Sequence, residues 1–315
     1  MNKLILLTTS ALVAFGASFP AFADSATITQ TNETNGTANQ HQGGIVIGVT
    51  LDDTATIVQA NGNGDVATQE QARLSFFNDA ELLGTETITQ TGNTGAVARQ
   101  EQNAEFDTQT ITQTGTTGTT TALQTLNSAD SSSNVQTSAQ GADNASTVNQ
   151  TIGVAVSNLA IESNNTQTAT QNGQTNSSIT QTIDGASSNN TQIATQNAVG
   201  SSNTQMASII NGSNNYIEQF QGGGAVSDSQ TASVSASSND RALQYQAAGV
   251  MGGSQTITQS GGMNNQAGQG QGNGGNVASI TQTGGSGNVA IQNQGLQPGN
   301  AGYMFVNGGG VVVHN

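Results

Sequence analysis

One pattern constrains this chain more than any other. Ile-x-Gln-x-Gly, a short turn rich in Gly, Asn and Ser, and then Ala-x-Gln-x-Gln run from Ile257 to Gln271 and again from Ile280 to Gln294, an offset of 23 in sequence. Side chains two residues apart on an extended strand share a face. Ile, Gln and Gly therefore line one side, and Ala, Gln and Gln line the same side after the turn. This is a strand–turn–strand unit. A unit so small cannot bury its own apolar face, so its recurrence predicts stacking against copies of itself.

The same offsets return near the start of the chain. Ile28, Gln30, Ala38, Gln40 and Gln42 form one copy, and Ile57, Gln59, Ala67, Gln69 and Gln71 a second. Ile88, Gln90, Ala98, Gln100 and Gln102 form a third, and a degraded copy opens at Ile111, again an offset of 23. The C-terminal copies contribute Ile257, Gln259, Ala267, Gln269 and Gln271, then Ile280, Gln282, Ala290, Gln292 and Gln294. In the middle, Ser163–Asn172 recurs as Ser188–Asn197, a shift of 25, and Asn203–Ala207 echoes both. Fixed Ile and Ala offsets argue against a flexible Gln-rich linker. The fold class expected is all-β: a β-solenoid of stacked strand–turn–strand repeats of about 23 residues, cross-β on polymerisation. Stacked at the ~4.7 Å strand spacing, each inward Gln amide can donate to one neighbour and accept from the other. These 25 positions are the expected self-assembly ladder.

Composition narrows the function classes. Four Lys and Arg stand against 19 Asp and Glu, a balance that excludes phosphate neutralisation and hence nucleic acid as a partner. With no Cys, neither disulfides nor thiolate metal sites can hold the fold. Residues 1–23 read as a secretory signal peptide: Lys3, an apolar run from Leu4 to Phe15, and the cleavage pattern Ala21-Phe22-Ala23. The apolar run is too short to span a bilayer, and no transmembrane segment is expected in the mature chain. Residues 24–126 form acidic N-terminal repeats, 127–250 a degenerate Asn/Gln/Ser/Thr-rich region, and 251–315 the C-terminal repeats and tail. Ile45, Ile47, Val49 and Leu51 alternate as in a half-buried strand, whereas 73–84 reads either as a short helix or as a looped-out segment. Twelve of the 19 acids lie between Asp24 and Asp107 and none follows Asp240, so the acids are expected to restrain assembly at the N-terminal end.

At the repeat level these residues resemble the curlin repeats of curli-type bacterial amyloid. Gln282, Gly284, Asn288, Ala290 and Gln294 match that family's unit if the turn is one residue longer, as do Gln259, Gly261, Asn265, Ala267 and Gln271. The N-terminal copies place Gly36, Asp65 or Ala96 where the unit has its turn Asn. The resemblance implies a secreted, extracellular subunit of cell-surface fibres for adhesion and biofilm matrix. Its partners would be copies of itself, a related subunit or nucleator, and an outer-membrane export apparatus. Two other readings stand beside it. One is a non-polymerising solenoid adhesin. The other is an ice-binding face built on the Thr rows at 27, 29 and 31, at 87, 89 and 91, and at 110, 112 and 114. With His41 and His314 its only histidines, the chain offers no catalytic, cofactor or metal constellation, and no enzyme is expected.

Overall fold

The computed structural model describes residues 25–44, 54–73, 84–102, 107–126, 133–153, 164–197, 200–247, 249–272, 275–294, 301–307 and 311–314, with backbone alone at 42–44, 72–73, 301–307 and 311–314. The expected signal peptide (1–23), the strand expected over 45–51 and the ambiguous residues 74–83 lie outside them.

The described chain is all strand, arc and turn. Its first third holds β1 (Ser25–Thr31), β2 (Thr37–Gly44), β3 (Thr54–Ala60), β4 (Val66–Arg73), β5 (Thr85–Thr91), β6 (Val97–Gln102), β7 (Thr108–Thr114) and β8 (Thr121–Leu126). Next come β9 (Val135–Gly141), β10 (Thr147–Ile152), β11 (Thr166–Asn172), β12 (Gln174–Thr175), β13 (Ser178–Asp184), β14 (Thr191–Gln196), β15 (Gly200–Ser201) and β16 (Thr204–Ile210). The remainder is β17 (Tyr216–Gln221), β18 (Ser229–Ser235), β19 (Arg241–Gln246), β20 (Ser254–Ser260), β21 (Gln266–Gln271), β22 (Val277–Thr283), β23 (Val289–Gln294), β24 (Ala301–Asn307) and β25 (Val311–His314). No described helix is long and apolar enough to cross a membrane.

Two parallel sheets face each other across a narrow interior. The first has 12 strands, β1-β3-β5-β7-β9-β11-β14-β17-β19-β21-β23-β25, and the second 11, β2-β4-β6-β8-β10-β13-β16-β18-β20-β22-β24. Each coil supplies one strand to each sheet, and the two-residue β12 and β15 pair on the arcs. This is the β-solenoid that the repeats predict. The coil length is less uniform than 23. In-register partners are 25 apart from Thr191 through Tyr216 and Arg241 to Gln266, then 23 apart to Val289. They are 29 and 31 apart at Ser25, Thr54 and Thr85. Strand register is kept across these differences in length.

Period-two patterning holds throughout: β3, β9, β18 and β20 alternate intermediate and buried positions along their whole length. Threonine and serine supply much of the outer row, where β-branched and hydroxyl side chains suit a pleated surface. The tight arcs need two left-handed residues each, such as Asn32 and Asn35 (φ 52° and 57°) or Gly92 and Gly95 (φ 63° and 70°). Asn and Gly tolerate that conformation best. The repeat's Gly therefore belongs to the arc, and Gly261 is exposed rather than part of the inward row.

The terminal copies do not lie in one set of columns. Ile28, Ile57, Ile88 and Ile111 stack at the centre of first-sheet strands. Ile257 and Ile280 stack at the centre of second-sheet strands. The exchange happens at one coil, where β14 and β16 both open Thr-Gln-x-Ala and set Ala194 and Ala207 at the two central positions. The column Gln181–Ala207–Ala232–Ile257 turns apolar while Ala169–Ala194–Gln219–Gln244 turns polar. The C-terminal half thus carries the same cross-section rotated by half a turn.

Candidate functional site

The interior is built from amides. The last inward position of every first-sheet strand from β1 to β23 is Gln, giving a column of Gln30, Gln59, Gln90, Gln113, Gln140, Gln171, Gln196, Gln221, Gln246, Gln271 and Gln294. Each Nε2 donates to Oε1 of the next at 2.6–3.0 Å, without a break along the stack. Gln30, Gln59 and Gln90 of the N-terminal copies therefore share a column with Gln271 and Gln294 of the C-terminal ones, although they hold different places in the sequence motif.

Shorter columns stand beside it. Gln40, Gln69, Gln100, Gln124, Gln150 and Gln181 link at 2.7–3.0 Å along the centre of the second sheet. Gln219, Gln244, Gln269 and Gln292 take over in the first sheet at 2.8–3.4 Å. Gln259 donates to Gln282 at 2.6 Å. Central amides also reach across the interior: Gln69 to the Thr56 carbonyl at 3.0 Å in one half, and Gln244 to the Thr231 carbonyl at 3.0 Å in the other. Ala67, Ala98, Ile57 and Ile88 form one apolar cluster with Ile28 and Ala38 packed against it, and Ala267, Ala290, Ile257 and Ile280 belong to another. Gln71 and Gln102 are buried at the last inward position of the second sheet, and Gln42 pairs with Gln71 through the backbone.

The columns have a direction. In these columns each glutamine-to-glutamine donation runs from a coil to the next one in sequence, whereas Gln71 and Gln102, stacked in the second sheet, do not make that forward link. Where a column opens beneath a residue other than Gln, the first carbonyl oxygen has no donor. Oε1 of Gln109, Gln205, Gln219 and Gln259 is buried and unpartnered, and their column predecessors are Glu86, Ile179, Ala194 and Val234.

A second ladder runs along one row of arc corners. Oδ1 of Asp107 accepts the backbone N–H of Asn134 at 2.6 Å, and the same bond repeats at 2.8–3.0 Å through Asn165, Asn190, Asn215, Asp240, Asn265 and Asn288. Asn also donates: Nδ2 of Asn190 reaches the Gly212 carbonyl at 2.9 Å and Nδ2 of Asn215 the Ser237 carbonyl at 3.1 Å. The opposite arcs use the same device less regularly, with Asp65, Asp143 and Asp228 accepting N–H groups of Ala96, Gln174 and Gly253. Oδ2 of these three acids is buried without a partner. Burial pushes the Asp143 carboxyl up to about 6, opposed by the N–H groups of Gln174 and Gly141. It does the same at Asp228, opposed by Gly253 and Gly252. The ladder acids do not stack on one another, because each is followed by an uncharged residue. An exposed acidic pair does stack, Glu70 on Glu101, and Arg99 bridges it at 3.7 and 3.2 Å.

Sequence reasoning singled out 25 ladder residues and, although it read degraded or repeated strands at 111–115, 163–172 and 188–197, left the middle of the continuous column, from Gln113 to Gln246, out of the ladder. It also missed all of the Asx ladder except Asn265 and Asn288. Both were legible as steps: Asn165, Asn190, Asn215, Asp240 and Asn265 are each 25 apart. On the outer face of the first sheet, Phe220 stacks on Tyr245 at 5.2 Å and the Arg241 guanidinium lies 5.1 Å from the Tyr216 ring. Beside them a shallow depression of about 470 Å³ opens over Gly268, between Leu243 and Ile291. Among the described residues no three His, Asp or Glu converge as a metal site. Neither a protein-family model nor a curated protein matches the chain.

Proposed function

We propose that this chain is a structural subunit whose solenoids stack end to end into extracellular cross-β fibres of the curli type, giving cohesion and attachment. The single observation that carries the reading is the direction of the amide columns. Gln30 and Gln40 are the first amides of their columns among the described residues, and their Nε2 atoms are engaged at Gln59 and Gln69. β1 and β2 pair with described strands on one side only, as do β24 and β25. Such edges template a further parallel strand. The amide columns donate toward later coils and the arc ladder toward earlier ones, each with a fixed direction, so a second copy continues both only head to tail. End-to-end contact of this kind is heterologous and does not close, which is the geometry of a filament.

Export is read from residues 1–23, and the resemblance of the repeats to curlin units supplies the related nucleator and outer-membrane export apparatus as partners. The test is to dissolve the chain in denaturant, remove the denaturant, and follow thioflavin fluorescence and fibre diffraction. Reflections near ~4.7 Å and ~10 Å with growth accelerated by seeds are expected. A β-rich monomer that never seeds at high concentration would overturn the proposal in favour of a stand-alone solenoid adhesin.

A further inference from the structure

We infer that successive copies in the stack are related by a half-turn about the fibre axis, so that the first sheet of one copy is continued by the second sheet of the next. This rests on the end-to-end stacking proposed above and adds the geometry of its interface. Two observations lead to it.

The first is the exchange of columns at Ala194 and Ala207. At the C-terminal end the central column of the first sheet is polar, Gln269 then Gln292, and register places His314 next. The central column of the second sheet is apolar, Ile257 then Ile280, and register places Met304 next. At the N-terminal end the order is reversed, with Ile28 central in the first sheet and Gln40 central in the second. A copy stacked without rotation would set Ile28 after His314 and Gln40 after Met304. Each mismatch interrupts a column, and a Gln amide placed over an apolar position loses its partner inside a dry interior. Rotation by half a turn sets Ile28 after Met304 and Gln40 after His314. Ala38 then follows Ala290 and Val312, and Ala26 follows Ala278 and Gly302. Apolar meets apolar and polar meets polar in both central columns.

The second observation is the strand count. The sheets contain 12 and 11 strands, and β25, the last described strand, lies in the first sheet. Strands alternate between sheets along the coil, so the place that continues the spiral is in the second sheet, over β24. A copy whose β1 takes that place is rotated by half a turn, and its β2 then covers β25. Strand parity and the chemistry of the central columns are independent, and they give the same rotation; the last inward column sets a Gln after Val306 either way, Gln30 with the half-turn and Gln42 without it.

The chain contains no Cys, which makes cross-linking unambiguous. Extending the register of β23 and β25, the half-turn puts Asn39 of the incoming copy beside Val313, whereas unrotated stacking puts Thr27 there. Adjacent parallel strands are ~4.8 Å apart, within the Cα separation that a disulfide spans. Full-length Val313→Cys is to be co-assembled under reducing conditions with either Asn39→Cys or Thr27→Cys, and then oxidised. A disulfide heterodimer with Asn39→Cys, and only background with Thr27→Cys, is the expected result. The reverse result overturns the half-turn while leaving the fibre intact. Seeded fibres that cross-link in neither mixture overturn the end-on interface itself. Absence of fibres removes the stacking on which the inference stands. Should the Cys chains fail to assemble, helical reconstruction of unmodified fibres decides the question. Twenty-three sheet strands, two to each ~4.8 Å layer, give an axial rise of about 55 Å per copy. The expected rotation per copy is close to a half-turn, and a rotation close to zero overturns the proposal.

Discussion

Glutamine is costly to bury, and it is the commonest buried residue among the described ones because an amide inside a column meets both of its neighbours. Gln196 accepts from Gln171 and donates to Gln221, each at 2.9 Å. Gln196→Ala strands one donor and one acceptor in the interior and leaves a void. At roughly 1–3 kcal/mol for each unsatisfied group, the loss should be about 3–5 kcal/mol in urea unfolding. Thr195→Ala, on the outer row, should cost under about 0.5 kcal/mol. The acids of the arc ladder behave differently from the amides they replace. An Asp has no hydrogen to offer where Asn reaches a carbonyl, unless it is protonated. The Asp143 and Asp228 carboxyls, raised from 3.8 to about 6 by burial, favour the fold fully below pH ~4. That contribution is lost as pH rises through about 6. The melting temperature should therefore fall between pH 4 and pH 7, and Asp143→Asn with Asp228→Asn should flatten that slope. An unchanged slope would show that neither carboxyl titrates with folding.

At the scale of the element, a strand here is specified twice, by its alternation and by the arcs that bound it. The arcs demand left-handed residues at fixed places, and most are Asn or Gly. Ala142 and Ala236 take that conformation with φ of 52° and 49°. A Cβ in this region costs roughly 1–2 kcal/mol, partly offset by the greater unfolded-state freedom of glycine. Ala142→Gly and Ala236→Gly should each stabilise the fold by about 0.5–1 kcal/mol, read as a rise in melting temperature. The arcs also set what can vary in length. Thr85 is in register with Thr54 at a separation of 31 and with Thr108 at a separation of 23, so the strands keep their register while the segments between them differ in length.

Across the whole molecule, stability should follow the one-dimensional logic of repeat proteins, in which each coil is held by its neighbours. The coil of β14 and β16 is a weak joint between its neighbours. Two glutamine links enter it, from Gln167 and Gln171, and two leave it, from Gln196 and Gln205. On either side three links join consecutive coils, through Gln136, Gln140 and Gln150 before it and Gln219, Gln221 and Gln230 after it. Its centre is two alanines, Ala194 and Ala207, where the coils on either side pair an alanine with Gln181 or Gln219. Native-state hydrogen exchange should show the two halves opening as separate units that meet at this coil, and denaturant unfolding should depart from a single two-state transition. Uniform protection across residues 164–247 would count against a joint.

Alternation and fixed offsets were enough to read strands, inward Gln, Ile and Ala rows, and a stacked solenoid, because a side chain's face on a strand depends only on the parity of its position. The Asn265 and Asn288 turn residues were visible only through the resemblance of the repeats to curlin units. What the repeats could not reveal is which sheet each copy joins. Ile28 and Ile257 occupy identical places in identical motifs, yet stand on opposite sheets, because the strands between them shift the phase by half a coil. Likewise Gln30 and Gln294 share a column while differing in motif position. Strand parity is local, whereas sheet membership depends on every strand and arc in between, so only the assembled coil decides it.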